Sequence, residues 1–169
     1  MITLIIGYPD SGKSAMAEKM VTEISEPEER IYLATMIPFG QEGRDRIARH
    51  RKLREGKGFR TVEAPFDVRN AVTALEQEGI ELQNMTVLLE CVSNLTANEL
   101  FERHTGRDEL VLRLCADIRG VAEMCRNLVI VTNHFEIEEG FDEDTRIYAE
   151  TLDKLNEELS KFADNTIRL

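Results

Sequence analysis

Residues Gly7-Tyr8-Pro9-Asp10-Ser11-Gly12-Lys13-Ser14 decide the fold. Their spacing matches G-x-x-x-x-G-K-[ST] in full. The run Ile2–Ile6 leading into them is nearly continuously apolar, β-branched and too short for a helix, which predicts a strand buried on both faces. The stretch leaving them, Lys13–Ile24, has helical spacing with Met16, Met20 and Ile24 on one face. Strand, glycine-rich loop and helix together form the context in which this motif binds phosphate. Gly7 and Gly12 let the backbone curl until several N–H groups aim at one phosphate, and the helix adds the positive end of its dipole. Lys13 is placed to reach the β- and γ-phosphates, and Ser14 to offer its hydroxyl to Mg²⁺. The alternative is a chance glycine-rich turn, roughly a 1% event at ordinary residue abundances.

Working outward, Ile31–Thr35, Thr86–Cys91 and Leu128–Thr132 read as further buried strands. Phe59–Glu63 alternates and predicts a more exposed strand, and Thr166–Leu169 a last short one. Between them lie the amphipathic stretches Asp67–Glu78, Asp108–Arg126 and Asp142–Ala163. The second carries Leu110, Leu114, Ile118, Val121 and Cys125 along one stripe. The third carries Ile147, Thr151, Leu155, Leu159 and Phe162, with Asp142 as its N-cap. Glu26–Glu29 reads as an acidic turn and Glu55–Gly58 as a Gly/Lys turn. Strands alternating with helices imply crossover connections and a mostly parallel α/β sheet. No linker or repeat divides residues 1–169, so a single domain is expected.

Composition excludes several classes. Of 169 residues, 42% are hydrophobic and 31% charged, which fits a folded globular chain rather than a disordered one. The formal net charge of -11 argues against a nucleic-acid partner, because the phosphate backbone repels such a surface. No apolar run reaches the ~18 residues of a membrane span, and the N-terminal residues lack the pattern of a signal peptide. The three cysteines, Cys91, Cys115 and Cys125, show no CxxC spacing and fit reduced thiols in the cytoplasm.

Two further features bear on chemistry. Val87-Leu88-Leu89-Glu90 has the form of a buried strand ending in an acid, which suits Glu90 to hold Mg²⁺ beside Ser14, directly or through water. The alternative is a glutamate at a solvated strand end. Gln41–Arg54 is the one strongly basic patch of the chain, although Glu42 and Asp45 sit near its start. Arg46, His50 and Arg54 lie at i, i+4 and i+8 and share a helix face. Repulsion from the arginines favours a neutral imidazole, the form that acts as a nucleophile. The alternative is a solvated basic face with an incidental histidine. His104 and His134 have no such surroundings.

In order along most of the chain, the sequence resembles the bifunctional cobinamide kinase/cobinamide-phosphate guanylyltransferase family of cobalamin synthesis. The resemblance rests on Gly7–Ser14, Tyr32-Leu-Ala-Thr35, Arg46-Ile-Ala-Arg-His50-Arg-Lys-Leu-Arg54 and Phe59-Arg-Thr-Val-Glu-Ala-Pro65. It continues through Leu88–Leu95 with Asn98-Glu-Leu-Phe101, and Val129–Asn133. It implies a P-loop, RecA-like fold and an assembly of trimers or a hexamer. It implies two reactions: ATP or GTP phosphorylates the hydroxyl of the aminopropanol arm of adenosylcobinamide, and a histidine then carries GMP from GTP to the new phosphate. By motif, His50 is the guanylylated residue, and Ala34, Thr35, Arg51, Arg54, Glu63 and Glu90 line the nucleotide site.

Two stretches depart from the family pattern. Asp10 stands where the family usually has a basic residue, and a carboxylate beside a polyphosphate costs affinity unless a cation offsets it. After Asn133 the chain continues His134-Phe-Glu-Ile-Glu-Glu-Gly140, which is acidic and lacks the family's Glu-Val-Gly. Two other readings are compatible with the P-loop: a small-molecule kinase or NTPase of another substrate, and a non-catalytic nucleotide-binding protein.

Overall fold

Six strands, all parallel, form one sheet in the order β3-β2-β4-β5-β1-β6. The computed structural model describes residues 1–169. The strands are β1 (Ile2–Gly7), β2 (Arg30–Ala34), β3 (Phe59–Glu63), β4 (Thr86–Glu90), β5 (Asn127–Asn133) and β6 (Asn165–Arg168). The helices are α1 (Lys13–Ile24), α2 (Gly40–Arg54), α3 (Val68–Gln77), α4 (Val92–Ala97), α5 (Arg107–Met124) and α6 (Glu143–Phe162). Every predicted strand is present, with ends shifted by a residue or so.

The apolar runs are continuous because both sheet faces are covered. Leu4, Ile6, Val87, Leu89, Leu128 and Ile130 point into a large core with α3, α5 and α6. Their alternating neighbours Ile5, Leu88, Val129 and Val131 point into a smaller core with Ala17 and Val21 of α1. Burying each such Leu, Ile or Val contributes about 1.5–3 kcal/mol. β3 lies at the edge and is exposed, as expected, but its burial does not alternate: only Phe59 and Val62 are half-buried, each against a different core.

The expected face of α1 is corrected. Met16 is exposed, whereas Ala17 and Val21 are fully buried. Small and β-branched residues let α1 sit close on the sheet, while Met20 packs half-buried at the side of that core. The stripe of α5 is buried from Leu110 to Val121. Asp142 caps α6 by accepting the Thr145 N–H at 2.7 Å. α4 and the π-turn Asn98–Glu102 that follows it had no counterpart in the sequence reading.

Because the sheet is wholly parallel, every strand ends at one edge. Gly7, Ala34, Glu63, Glu90 and Asn133 are the last residues of β1 to β5. Register places Ala34 beside both Glu63 and Glu90, and Gly7 beside Asn133. This is the edge at which open α/β sheets bind ligands.

α2 is held differently from the other helices. Only Gly43 and Arg54 of its fifteen residues are buried. Its C-terminal end is moored: the Arg54 guanidinium lies 3.8 Å from the Tyr32 ring centroid, and Lys57 just beyond pairs with buried Glu18 at 2.7 Å. Few apolar contacts and many solvent-exposed backbone hydrogen bonds make a low local opening energy. We expect amides of Arg44–Leu53 to exchange on the order of 100-fold faster than those of Leu4–Ile6. Equal protection in hydrogen-exchange mass spectrometry would contradict this.

Candidate active site

The phosphate loop is built as its spacing requires. Gly12 has φ of 82°, a conformation that side chains resist. A Cβ on Gly7 would lie 2.6 Å from Ser11 Oγ. α1 begins at Lys13 with no side-chain cap and no acid in its first turn. Its first amides and the positive end of its dipole are therefore open to an anion. Lys13 is buried, and its Nζ donates to Tyr8 O at 3.0 Å across the loop. Asp10 lies at the cleft wall with φ of 61°.

Ser14 Oγ donates to Glu90 Oε1 at 2.9 Å. Two oxygens that share an edge of a Mg²⁺ octahedron with bonds of about 2.1 Å are about 3.0 Å apart, so this pair fits the ion. Glu90 Oε2 is buried and has no partner. Burial pushes the Glu90 carboxyl up to about 7, against the pull of the Ser14 hydrogen bond and of Lys13. A cation here would remove that penalty. The rest of a coordination shell would have to come from phosphate and water, since no cluster of three His, Cys, Asp or Glu is present.

α2 carries His50 over the same cleft. A cavity of about 390 Å³ is lined by loop residues Pro9, Asp10 and Gly12–Ala15, by Arg46, Arg49, His50 and Leu53 of α2, and by Glu90, Cys91 and Asn133 at the strand ends. That volume lies in the range of small-molecule sites. Burial lowers the His50 pKa, and the Arg46, Arg54 and Arg49 charges lower it further, with Glu18 opposing. The expected depression is present, but burial leads and the arginines follow. Arg51 pairs with Glu63 at 2.9 Å.

The remaining expected residues gather on the other side of His50. Ala34, Thr35, Arg51, Arg54, Glu63 and Glu90 line a narrow pocket of about 40 Å³ with Tyr32, Met36 and Ile47. It is much smaller than the phosphate-loop cleft. Two of these side chains are committed elsewhere. Thr35 Oγ1 accepts the Cys91 N–H at 2.8 Å and lies 2.8 Å from Cys91 O and 3.1 Å from Glu90 O. It clamps the end of β4, where the Glu90–Cys91 peptide is cis. Arg54 stacks on Tyr32 and reaches Thr61 Oγ1 at 3.3 Å. His50 and Glu90 alone among the expected residues line both spaces.

Sequence reading missed Asn133. Its backbone N–H donates to Ser93 Oγ at 2.8 Å, and its side chain faces the cleft with Oδ1 buried and unpaired. The signal was available: like Glu90, it is a polar residue ending a buried strand. Arg46 and Arg49, expected to repel a proton from His50 and to attract a polyphosphate, are cleft walls. His134, without surroundings in sequence, is held by Asp153 at 3.0 Å from α6.

Comparison with known proteins agrees with this geometry. Among solved structures, the crystal structure of the RadB recombinase superposes with a TM-score of 0.51 at 16% identity, covering 89% of this chain and 70% of that one. That likeness shows the RecA-like P-loop fold. Curated proteins gave no match. The family model described as cobinamide kinase / cobinamide phosphate guanyltransferase matches residues 3–169. With the phosphate loop, the strand-end glutamate and the histidine helix meeting in one cleft, the chain belongs to this family of transferases in cobalamin biosynthesis.

Proposed function

We propose that the protein phosphorylates the aminopropanol hydroxyl of adenosylcobinamide with ATP or GTP, and then moves GMP from GTP to that phosphate through a GMP–His50 intermediate. One observation carries the reading. Three buried side-chain atoms lack a hydrogen-bond partner: His50 Nδ1, Glu90 Oε2 and Asn133 Oδ1. All three residues line the phosphate-loop cleft. Folded proteins rarely leave such atoms unpaired, so their convergence marks where a polar ligand belongs.

In the guanylyl half, the neutral His50 imidazole attacks the α-phosphorus of GTP. A P–N bond forms, the P–O bond to the β-phosphate breaks, and pyrophosphate leaves. A phosphate oxygen of the acceptor then attacks the same phosphorus and the imidazole departs neutral. Arg46 and Arg49 face the charge that builds on the departing phosphates. In the kinase half, Lys13 and the loop amides hold the polyphosphate, and Asn133 sits at the end of the strand beside the loop. Mg²⁺, held by Ser14 and Glu90, would supply charge neutralisation between phosphates.

Incubation with α-labelled GTP tests the reading. An acid-labile, alkali-stable label on His50 is expected. Nucleotide turnover without label favours a plain kinase or NTPase, and binding without either favours a non-catalytic protein.

The depressed imidazole pKa gives a separate expectation. NMR titration of the nucleotide-free protein should place the His50 midpoint below its ordinary 6.5. Arg46→Gln removes a like charge and should move it upward. A wild-type midpoint at or above the ordinary value would contradict the enclosed, arginine-flanked imidazole.

We further propose a cytoplasmic homo-oligomer, a trimer or hexamer, with basic residues of α2 facing an acidic neighbour. Light scattering that shows only monomer counts against it. All three cysteines are free thiols. No helix is long and apolar enough to cross a membrane.

A further inference from the structure

The phosphate cleft has no aromatic lining, yet the transferase reading requires a seat for a large, flat acceptor. We propose that the partly exposed aromatic surface of Phe101, Phe135 and Tyr148 binds the macrocyclic ring of that acceptor, a corrinoid; this rests on the reading under Proposed function. The chain has only seven Phe, three Tyr and no Trp, and three of these gather here. The Tyr148 ring lies 5.7 Å from Phe135 and 6.4 Å from Phe101 between centroids, each pair tilted at 49°. Phe101 is 40% exposed, although burying a phenylalanine is worth more than burying almost any other side chain.

Position argues for a substrate rather than an unrelated partner. Phe101 is carried by the π-turn Asn98–Glu102, a local insertion of the kind frequent at functional sites. The Tyr148 hydroxyl donates to Ser93 O at 3.3 Å, and Ser93 Oγ accepts the Asn133 N–H at 2.8 Å. Asn133 is a wall of the phosphate cleft. A second path leads the same way. Phe135 follows His134, whose N–H donates to Gly7 O at 3.0 Å and whose ring meets the loop residue Tyr8 edge-on at 5.6 Å. The aromatic surface is therefore linked to the phosphate-loop cleft through Ser93 and through His134. The tethered Tyr148 hydroxyl fixes it before ligand arrives, which limits the ordering cost of binding. A corrinoid has a broad apolar face fringed with amides. The rings suit the face, and His134, oriented by Asp153 at 3.0 Å, suits the fringe.

The test is equilibrium binding of cobinamide, with GTP labelling of His50 measured in parallel. Phe101→Ala should weaken cobinamide binding about tenfold or more, and Phe101→Trp, which keeps an aromatic face, should restore most of it. Both variants should bind GTP as the wild type does. Equal cobinamide affinity in wild type and Phe101→Ala overturns the proposal, as does a wild type that does not bind cobinamide. If Phe101→Ala loses affinity only because light scattering shows an assembly falling apart, the surface is an interface between copies and the proposal fails. A wild type that binds cobinamide through Phe101 but never labels His50 instead defeats the guanylyl-transfer reading alone.

Discussion

His50→Ala is expected to abolish label transfer from α-labelled GTP while leaving nucleotide binding within about threefold of wild type. The loss should be complete, or at least about 1,000-fold, because Lys52, the other residue of α2 able to form a phosphoramidate, does not line the cleft. Binding should survive because the contacts offered by Gly7–Ser14 do not involve the imidazole. The residue is only half-buried, so the truncation should leave the fold intact. His50→Asn is the stricter variant: it keeps hydrogen-bonding capacity and similar size and removes only the nucleophile. A wild-type protein that binds GTP tightly with Mg²⁺ yet never becomes labelled would falsify the guanylyl-transfer reading. Wild type and both variants would then behave alike, and a kinase or non-catalytic protein would remain.

Lys13→Ala should weaken Mg-nucleotide binding by ~2 kcal/mol, about 30-fold, and lower both half-reactions together. Lys13 Nζ sits 3.0 Å from Tyr8 O and is released for phosphate at the cost of one hydrogen bond to an uncharged carbonyl. The contact it gains is to a charged partner and lies in a buried position, where screening by water is weak. His50→Ala and Lys13→Ala thus separate the two halves of the cleft: the first removes chemistry and spares binding, the second removes binding. Unchanged affinity of Lys13→Ala by calorimetry would remove the phosphate loop from the mechanism.

The residues that sequence reading identified differ in how they earned their place. Gly7–Ser14 is legible because its function is local: backbone curl, helix N-terminus and lysine all lie within eight consecutive residues. Glu90 is legible because a buried strand ending in an acid is a local pattern. Its link to Ser14 at 2.9 Å was foreseen only as a shared ion. Thr35 was expected to line the nucleotide site; it lines the pocket with His50 and Glu90 and also holds the end of β4 by three hydrogen-bond contacts. Arg51 was expected to line the nucleotide site, and it lines the pocket beside His50 while paired with Glu63. In both cases the residue's partner lies on another strand, and no spacing along the chain reports it.

By itself, the sequence determined the architecture. Continuous apolar runs require a sheet covered on both faces, helical stretches between them require parallel crossovers, and one motif orients the loop. Tertiary structure decided what meets at the sheet edge. Only the order β3-β2-β4-β5-β1-β6 sets β5 between the strands that bear Gly7 and Glu90, and so brings Asn133 into the cleft. Only the mooring of α2 through Arg54 and Tyr32 places His50 one turn away, over the phosphate loop. Sequence periodicity specifies which face of an element is buried, because burial acts residue by residue. Which side chains from distant elements share a cavity depends on strand order and helix docking, and these are settled by packing of the whole chain.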